Sequence, residues 1–368
     1  MVISSLSSGG AERVSVTLAN YWAEHDWQIT IITLAGKEDD FYQLHPAVQR
    51  VALDLAIASV NPMAGLCNNI LRVRALRRVL TAQRPQITLG FMPASNILAA
   101  FAVMGTGLLA VGSEHTHPPY LSLGRVWQFL RRTMYPRLAF VSALTEKSAS
   151  SLQTHTGIDK APVIPNPIAY PLATQTPYCD PAALRTRFGG NRWLLAVGRL
   201  ANQKGFDRLI ATYARLAPDF PDWRLIVVGE GPLRQTLERQ IVELGLSERV
   251  ALVGVAGNVG AWYEAANAYV MTSRYEGFGN TLAEALAYGL PAVAMDCDTG
   301  PGEILRHEVD GILVADGDMQ ELERALRRLM GDEDLRQQFA ARAIDAGQRF
   351  SVEKIAARWE QLFIEALK

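Results

Sequence analysis

The sequence has few cysteines and no run of charge of one sign. Only three of its 368 residues are cysteine, and Cys67, Cys179 and Cys297 are far apart and form no C-x-x-C pair. An odd number of scattered cysteines implies neither a disulfide framework nor a zinc site. We therefore expect a reducing, cytoplasmic setting.

The sequence also lacks an export signal and an uninterrupted apolar span. Its start has neither the basic lead nor the apolar core of a signal peptide, so export by that route is not expected. The uncharged stretch 85–113 is divided by Pro93, Gly105 and Gly107. A spanning helix needs roughly 20 uninterrupted apolar residues, so this stretch is interpreted as strand, helix and strand.

Charge is balanced overall but unevenly distributed. Residues 1–170 carry 14 Lys and Arg against 10 Asp and Glu, whereas the remainder carries 22 against 27. Between positions 60 and 140 Glu114 is the single acidic residue, which predicts an anionic partner for this region. The arginines there are Arg72, Arg74, Arg77, Arg78, Arg84, Arg125, Arg131, Arg132 and Arg137.

Two arginine-rich segments in this region suggest a possible membrane surface. Helical spacing around Arg77 separates apolar from basic positions, and the segment 125–132 mixes aromatic residues with arginines. Both patterns suit the edge of an anionic bilayer, and the alternative is two ordinary surface helices with hydrated guanidinium groups. Nucleic acid is not expected, because no binding motif accompanies the charge.

Short strands alternate with helices along most of the chain, which predicts parallel sheets covered on both faces. We predict an α/β fold of two Rossmann-like, doubly wound domains that face each other across a cleft. Ligands of such sheets bind beyond the carboxyl ends of the strands. The predicted segments are a first domain at 1–167, a proline-rich linker at 168–190, a second domain at 191–350 and a C-terminal helix at 351–368.

The segment 273–284, with the sequence SRYEGFGNTLAE, places a glycine-flanked loop before an apolar helix. Backbone N–H groups at a helix start bind phosphate. Glu276 and Glu284 would repel a phosphate, but they accept hydrogen bonds from hydroxyl groups such as those of a ribose and a hexose. The segment therefore predicts a sugar-nucleotide site; the alternative is that both glutamates face solvent.

Three further strand-to-helix turns carry candidate residues. Gly9 and Gly10 would allow a phosphate or sugar close to the backbone, or serve only the turn itself. Arg199 and Lys204 are expected to bind a diphosphate, and the alternative is that both are hydrated surface cations. His115 would donate to a substrate hydroxyl or stabilise charge, or be structural.

Together these residues resemble the family-4 retaining glycosyltransferases of the two-Rossmann-domain (GT-B) type, from Ser4 to about Phe350. The most specific parts are Glu276-x7-Glu284, AYGLPAVA at 287–294 and GPGEI at 300–304. The resemblance implies transfer of a hexose or N-acetylhexosamine from a nucleotide sugar, with UDP expected, to a glycan acceptor. It also implies retention of anomeric configuration, no metal, no cofactor, and a final helix that crosses back onto the first domain.

The resemblance assigns a role to each candidate residue. His115, Glu276, Arg199 and Lys204 are the expected catalytic group. For the donor, Arg199 and Lys204 are expected to contact the diphosphate, Glu284 the ribose and Thr281 a phosphate. The hexose is expected to contact Glu276 and the backbone of Gly277, Phe278, Gly279 and Asn280, and His115 is expected near the reacting carbon. Gly9 and Gly10 are expected at the phosphates or the acceptor, and Gly254 and Val255 beside the base.

The acceptor is expected to be a polyprenyl-diphosphate-linked or other membrane-borne glycan of bacterial surface polysaccharide synthesis, because the Ser113-Glu114-His115 segment resembles enzymes of that kind. This implies work at the inner face of the membrane. Two other functions stay open: a UDP-sugar 2-epimerase on the same fold, and a sugar-nucleotide-binding module without turnover.

Two features depart from the family pattern or compete with it. The first strand, Met1 to Ser4, is short, so either the strand is brief or the chain begins upstream of Met1. The D-x-D sequence Asp296-Cys297-Asp298 binds metal in a different glycosyltransferase fold. It is interpreted here as structural, because Arg199 and Lys204 already serve the diphosphate.

Overall fold

The computed structural model describes residues 1–38, 40–56, 61–117, 119, 123–189 and 191–368. The chain divides into two compact units, one of Met1–Pro167 with Val352–Lys368 and the other of Ile168–Ser351. The segment predicted as a separate linker is therefore part of the second unit. It contains a helix, Pro181–Phe188, whose first N–H groups are capped by Asp180 and whose first position is a proline.

The first unit is built on a six-stranded parallel sheet in the order β3-β2-β1-β4-β5-β6, the doubly wound order of Rossmann-like domains. Its strands are β1 (Val2–Ile3), β2 (Thr30–Thr33), β3 (Gln49–Ala52), β4 (Ile87–Phe91), β5 (Leu109–Ser113) and β6 (Val141–Ser142). Its helices before the second unit are α1 (Gly10–Glu24), α2 (Pro62–Gln83), α3 (Met92–Val103), α4 (Arg125–Met134) and α5 (Glu146–Thr156).

The second unit repeats this order, with a six-stranded parallel sheet arranged β12-β11-β10-β7-β8-β9. Its strands are β7 (Arg192–Val197), β8 (Trp223–Val228), β9 (Val250–Gly254), β10 (Ala268–Met271), β11 (Ala292–Asp296) and β12 (Gly311–Ala315). Its helices are α6 (Pro181–Phe188), α7 (Phe206–Leu216), α8 (Arg234–Glu243), α9 (Val259–Ala265), α10 (Asn280–Ala287), α11 (Pro301–Ile304), α12 (Met319–Gly331), α13 (Glu333–Ala343) and α14 (Asp345–Arg349).

The final helix, α15 (Val352–Ala366), belongs to the first unit, as the resemblance implied. It packs on α1, where the indole N–H of Trp22 donates to Glu360 at 3.0 Å. The rings of Trp359 and Phe363 lie in the same buried cluster as Trp22. The chain therefore leaves the first sheet, builds the second, and returns to complete the core of the first.

One arginine of the arginine-rich region is not on the surface of the first unit. Arg131, which was assigned to the basic surface, is buried and donates to Glu114 at 2.9 Å. Tyr135 also donates to Glu114, and burial raises the pKa of this carboxyl despite the guanidinium beside it. Arg77 donates to backbone carbonyls at the end of α3. Arg131 therefore stabilises the unit rather than extending its charged surface, whereas Arg77 stays exposed while it bonds to α3.

Among the described residues, no helix combines the length and the apolar character needed to cross a membrane. The longest, α2, has 22 residues and carries four arginines.

Arg131→Leu should lower the free energy of unfolding by about 3 kcal/mol or more, because it leaves the Glu114 carboxyl buried without its cation. Urea unfolding followed by tryptophan fluorescence measures the change. Arg132→Leu, at the exposed neighbouring position, is the matched control and should change stability by less than about 0.5 kcal/mol. Equal losses in the two variants would show that the buried pair is not the reason.

Candidate functional site

Three strand ends approach each other closely in the second unit, at the positions of Gly198, Gly229 and Gly254. The N–H of Gly229 donates to the carbonyl of Gly254 at 2.8 Å. Gly229 has φ 147°, and a Cβ added there would lie 2.0 Å from the carbonyl oxygen of Gly198. Only glycine fits this approach, which brings the carboxyl ends of β7, β8 and β9 together.

The turn after β7 carries the two predicted cations, but they differ in environment. Arg199 is exposed, and no described residue pairs with its guanidinium. Lys204 ends a short 3-10 helix, Asn202–Lys204, and its side chain is only 17% exposed. Gly205 follows with φ 66°, and a Cβ there would lie 2.1 Å from the carbonyl oxygen of Thr272. The turn is thereby packed against the end of β10.

The Lys204 ammonium forms an ion pair with Glu276, with 2.5 Å between Nζ and Oε1. The hydroxyl of Ser273 donates to the same carboxylate oxygen at 2.6 Å. Glu276 is 6% exposed and Ser273 is 1% exposed. The structure thus joins two residues that the sequence placed in separate motifs, and it adds Ser273, which the sequence analysis did not single out.

The glycine-flanked loop from Gly277 to Gly279 is fixed by two contacts with the segment after β11. Thr299 donates through its hydroxyl to the carbonyl of Glu276 at 2.6 Å. Gly300 has φ 102°, and a Cβ there would lie 2.0 Å from the carbonyl oxygen of Phe278. Gly279 is the N-cap of α10, so no side chain caps the first turn of this helix at Asn280. Both the positive helix end and the loop backbone are held in place.

The second glutamate of the motif, Glu284, is buried on α10 and is 2% exposed. The hydroxyl of Tyr263 donates to its Oε2 at 2.9 Å. Tyr269 donates to the hydroxyl of Thr281 at 2.8 Å, and burial raises the pKa of Tyr269, so this phenol stays protonated. Two tyrosines from neighbouring elements therefore orient the polar side chains of α10.

A second ion pair ties the turn after β7 to the Glu276 loop. Arg274 donates to both carboxylate oxygens of Asp207, at 2.9 and 2.7 Å. Hydrogen bonding from Arg274 is the main reason that the pKa of Asp207 is lowered. The backbone N–H of Arg274 also donates to the carbonyl of Gln203 at 2.7 Å. These bonds fix the spacing between the backbones that carry Lys204 and Glu276.

The loop that begins at Gly254 and Val255 is held by the segment preceding α6. Asn258 exchanges hydrogen bonds with the backbone of Cys179, at 3.0 and 2.8 Å. Gly257 donates to the carbonyl of Pro177 at 2.7 Å. The residues predicted beside the nucleotide base are thus supported by the segment that the sequence analysis assigned to a linker.

The predicted residues Gly9, Gly10 and His115 belong to the first unit, where they follow β1 and β5 at the same edge of a parallel sheet. Gly9 is the N-cap of α1, and the carboxylate of Glu12 lies over it. Burial raises the pKa of Glu12. His115 lies 3.0 Å from the hydroxyl of Ser113, and burial lowers the pKa of its imidazole to about 4. The imidazole is therefore neutral near pH 7.

Asp296 and Asp298, the two carboxylates of the D-x-D sequence, are exposed at the end of β11. Within the described part of the chain, no group of three His, Cys, Asp or Glu side chains is arranged to hold a metal ion. Burial raises the pKa of the intervening Cys297 thiol to about 12, so it stays protonated.

The two units match two families of known proteins. Residues 8–169 match the family described as Glycosyltransferase Family 4, and residues 185–346 match the family described as Glycosyl transferases group 1. The chain therefore contains a family 4 glycosyltransferase domain followed by a group 1 glycosyltransferase domain.

Individual relatives are similar to this chain over nearly all of its length. An N-acetyl-D-galactosaminyltransferase of Campylobacter jejuni, named for a PP-undecaprenol-linked glycan, is 26% identical over 99% of this chain and 97% of its own. An exopolysaccharide phosphotransferase of Streptomyces coelicolor is 28% identical over 97% of this chain. The matched region is only 39% of the length of that protein.

A solved structure shares the fold. HepE of Anabaena, determined in complex with UDP-glucose, superposes with a TM-score of 0.79 at 22% identity, over 99% of both chains. At this identity the likeness shows a shared fold of two Rossmann-like domains.

Gly300→Ala should lower the free energy of unfolding by about 1–3 kcal/mol, because the added methyl group collides with the Phe278 carbonyl. Gly317→Ala is the matched control, since Gly317 also has a positive φ of 80° but open space around it. Urea unfolding of both variants separates the collision from backbone strain alone. A loss no greater at position 300 than at position 317 would contradict the packing described for the loop.

Proposed function

We propose that this protein transfers a hexose or N-acetylhexosamine from a UDP sugar to a lipid-linked glycan acceptor, with retention of anomeric configuration. The observation that carries the proposal is the pairing of Lys204 with Glu276 beside the first turn of α10. The pair brings a cation and a carboxylate together in the loop that leads into α10, and we propose that the donor pocket lies there. The HepE complex with UDP-glucose and the PP-undecaprenol-named relative support the donor and the acceptor class.

The charges of this pocket suit a sugar diphosphate. A diphosphate binds where cations and backbone N–H groups meet, and Lys204, the exposed Arg199 and the start of α10 provide both. A carboxylate is repelled by phosphate but accepts hydrogen bonds from hydroxyl groups. Glu276 is therefore proposed to bind the hexose and Glu284 the ribose, with Thr281 at a phosphate.

The chemistry proposed is departure of UDP from the anomeric carbon. The bond from that carbon to the diphosphate oxygen breaks, and the charge that develops on the oxygen is stabilised by Lys204, Arg199 and the N-terminus of α10. The acceptor hydroxyl attacks the same face of the sugar, and its proton passes to the leaving diphosphate. These cations take the role that a divalent metal has in other transferases, so the reaction is proposed to need no metal.

The remaining predicted residues have supporting roles in this proposal. Gly254 and Val255 are proposed to lie beside the base. In the first unit, Gly9 and Gly10 are proposed to border the phosphates or the acceptor. His115 is proposed to act near the reacting carbon as a neutral hydrogen-bonding group, consistent with its lowered pKa of about 4.

The test is nucleotide release from a panel of UDP sugars in the presence of EDTA, with a bacterial lipid extract as the acceptor source. We expect release from one sugar that requires the extract, and a product with the anomeric configuration of the donor by NMR. Lys204→Ala should lower kcat/KM by about 100-fold or more, as for removal of one donor to an oxyanion. Arg239→Ala, at an exposed position of α8, is the control and should leave it unchanged.

Three outcomes would contradict the proposal. Consumption of the donor without any acceptor would favour an epimerase. Binding of UDP without turnover would favour a non-catalytic module. Unchanged turnover in Lys204→Ala would show that the Lys204 ammonium has no role in the transfer.

We also propose that the first unit contacts an anionic membrane through α2 and α4, both of which pack against α3. On α2, Met63, Leu66 and Ile70 are exposed at helical spacing. On α4, Val126 and Phe129 are 69% and 64% exposed. Apolar side chains of this kind enter the headgroup region of a bilayer, and nearby cations bind its anionic lipids. The exposed arginines on these helices are Arg74, Arg77, Arg78, Arg125 and Arg132.

Replacing Val126 and Phe129 together by serine should weaken binding to vesicles that contain phosphatidylglycerol, because it removes the two most exposed apolar groups of α4. Flotation of the protein with vesicles measures this, and we expect a loss of about tenfold or more at an average of about 1 kcal/mol per apolar side chain. Ile364→Ser, at an exposed position of α15, is the control. Equal binding by the double variant and the control would refute the proposed surface.

A further inference from the structure

We propose that Ser273 is a positioning residue, which holds the carboxylate of Glu276 towards the transferred sugar while Lys204 is engaged by the donor diphosphate. This inference rests on the proposed function. It assigns a task in the transfer to a buried hydroxyl at the start of the segment 273–284, to which the sequence analysis gave no role.

The geometry shows one oxygen with two different donors. Oε1 of Glu276 accepts from Lys204 Nζ at 2.5 Å and from Ser273 Oγ at 2.6 Å. One donor is a cation at the edge of the pocket, 17% exposed, and the other is a neutral hydroxyl that is 1% exposed. The cation is reachable by an incoming ligand, whereas the buried hydroxyl is not.

The position of Ser273 is itself fixed by its backbone. Arg208 donates to the carbonyl of Ser273 at 2.7 Å and to the carbonyl of Thr272 at 2.8 Å. The far end of the loop is held where Thr299 donates to the Glu276 carbonyl. The hydroxyl therefore approaches Glu276 from a rigid strand end, as a positioning group requires.

Donor binding creates competition for Lys204. A diphosphate carries more negative charge than one carboxylate, so its arrival draws the ammonium away from Oε1. Without another donor, the buried carboxylate would lose its partner, and a buried unpaired acceptor is costly. Ser273 remains bonded to Oε1, and this leaves Oε2 directed to a sugar hydroxyl. Ser273 thus keeps the Glu276 carboxylate in position for the hexose after the Lys204 ammonium has moved to the diphosphate.

Ser273→Ala tests this role. We expect kcat/KM for transfer to fall by about 10- to 100-fold, the range for hydrogen bonds to charged groups. The Kd for UDP, measured by calorimetry, should change less than about twofold, because UDP has no hexose for Glu276 to orient. Ser273→Thr keeps the hydroxyl and should recover most of the activity. Thr212→Val removes another buried hydroxyl of the second unit, outside the site, and should leave kcat/KM unchanged.

A double-mutant cycle distinguishes positioning from general packing. In a Glu276→Gln background, Ser273→Ala should cost no more than about twofold further, because its target is already altered. If Ser273→Ala does not fold, Ser273→Cys preserves the shape with a weaker donor and should show an intermediate loss of kcat/KM with unchanged UDP affinity.

Three results would overturn the inference and leave the proposed function intact. They are an unchanged kcat/KM in Ser273→Ala, additive losses of kcat/KM in the double-mutant cycle, and a loss of UDP affinity equal to the loss of transfer. Failure of the unsubstituted protein to bind UDP or transfer any sugar would instead overturn the proposed function, and this inference with it.

Discussion

The ion pair between Lys204 and Glu276 is the interaction on which the rest of the site depends. Opposite charges that are largely removed from water are stable only when each has a close partner, and here the two partners come from different segments of the chain. The pair joins the turn after β7 to the loop before α10. We propose that the donor pocket lies at this junction, because a sugar nucleotide requires both a cation for phosphate and a carboxylate for hydroxyl groups.

The fold produces this pair through the order of its sheet. β7 and β10 are neighbours in the second sheet, so the turn that follows one and the loop that follows the other begin side by side. Gly205 allows the turn to pass within contact distance of the Thr272 carbonyl, and Gly300 does the same for the loop at Phe278. Arg274 and Asp207 add a second link between the same two segments. Close backbone approach at glycines, rather than side-chain packing alone, determines where the charged groups meet.

Much of this arrangement was predictable from the sequence, because strands and their following turns leave local patterns. The division of residues 85–113 into strand, helix and strand is confirmed by β4, α3 and β5, and the two-domain α/β architecture followed from the alternation of strands and helices. The helix within the proline-rich segment was missed, since its signal is only an Asp-Pro start at position 180. The buried state of Arg131 was also missed, because it depends on Glu114, a partner 17 residues away in a different element. Ser273 was overlooked for a different reason: its partner Glu276 is only three residues away, but a serine has no local pattern that reveals a carboxylate partner.

The most direct measurement of the central claim is a crystal structure of the full chain with UDP. The account predicts that the diphosphate lies against Lys204 and the first turn of α10, with the Lys204 ammonium moved from Glu276 to a phosphate oxygen and Ser273 still bonded to Glu276. UDP bound elsewhere on the chain, or bound while the Lys204–Glu276 pair stays at its present 2.5 Å with no contact to phosphate, would contradict it.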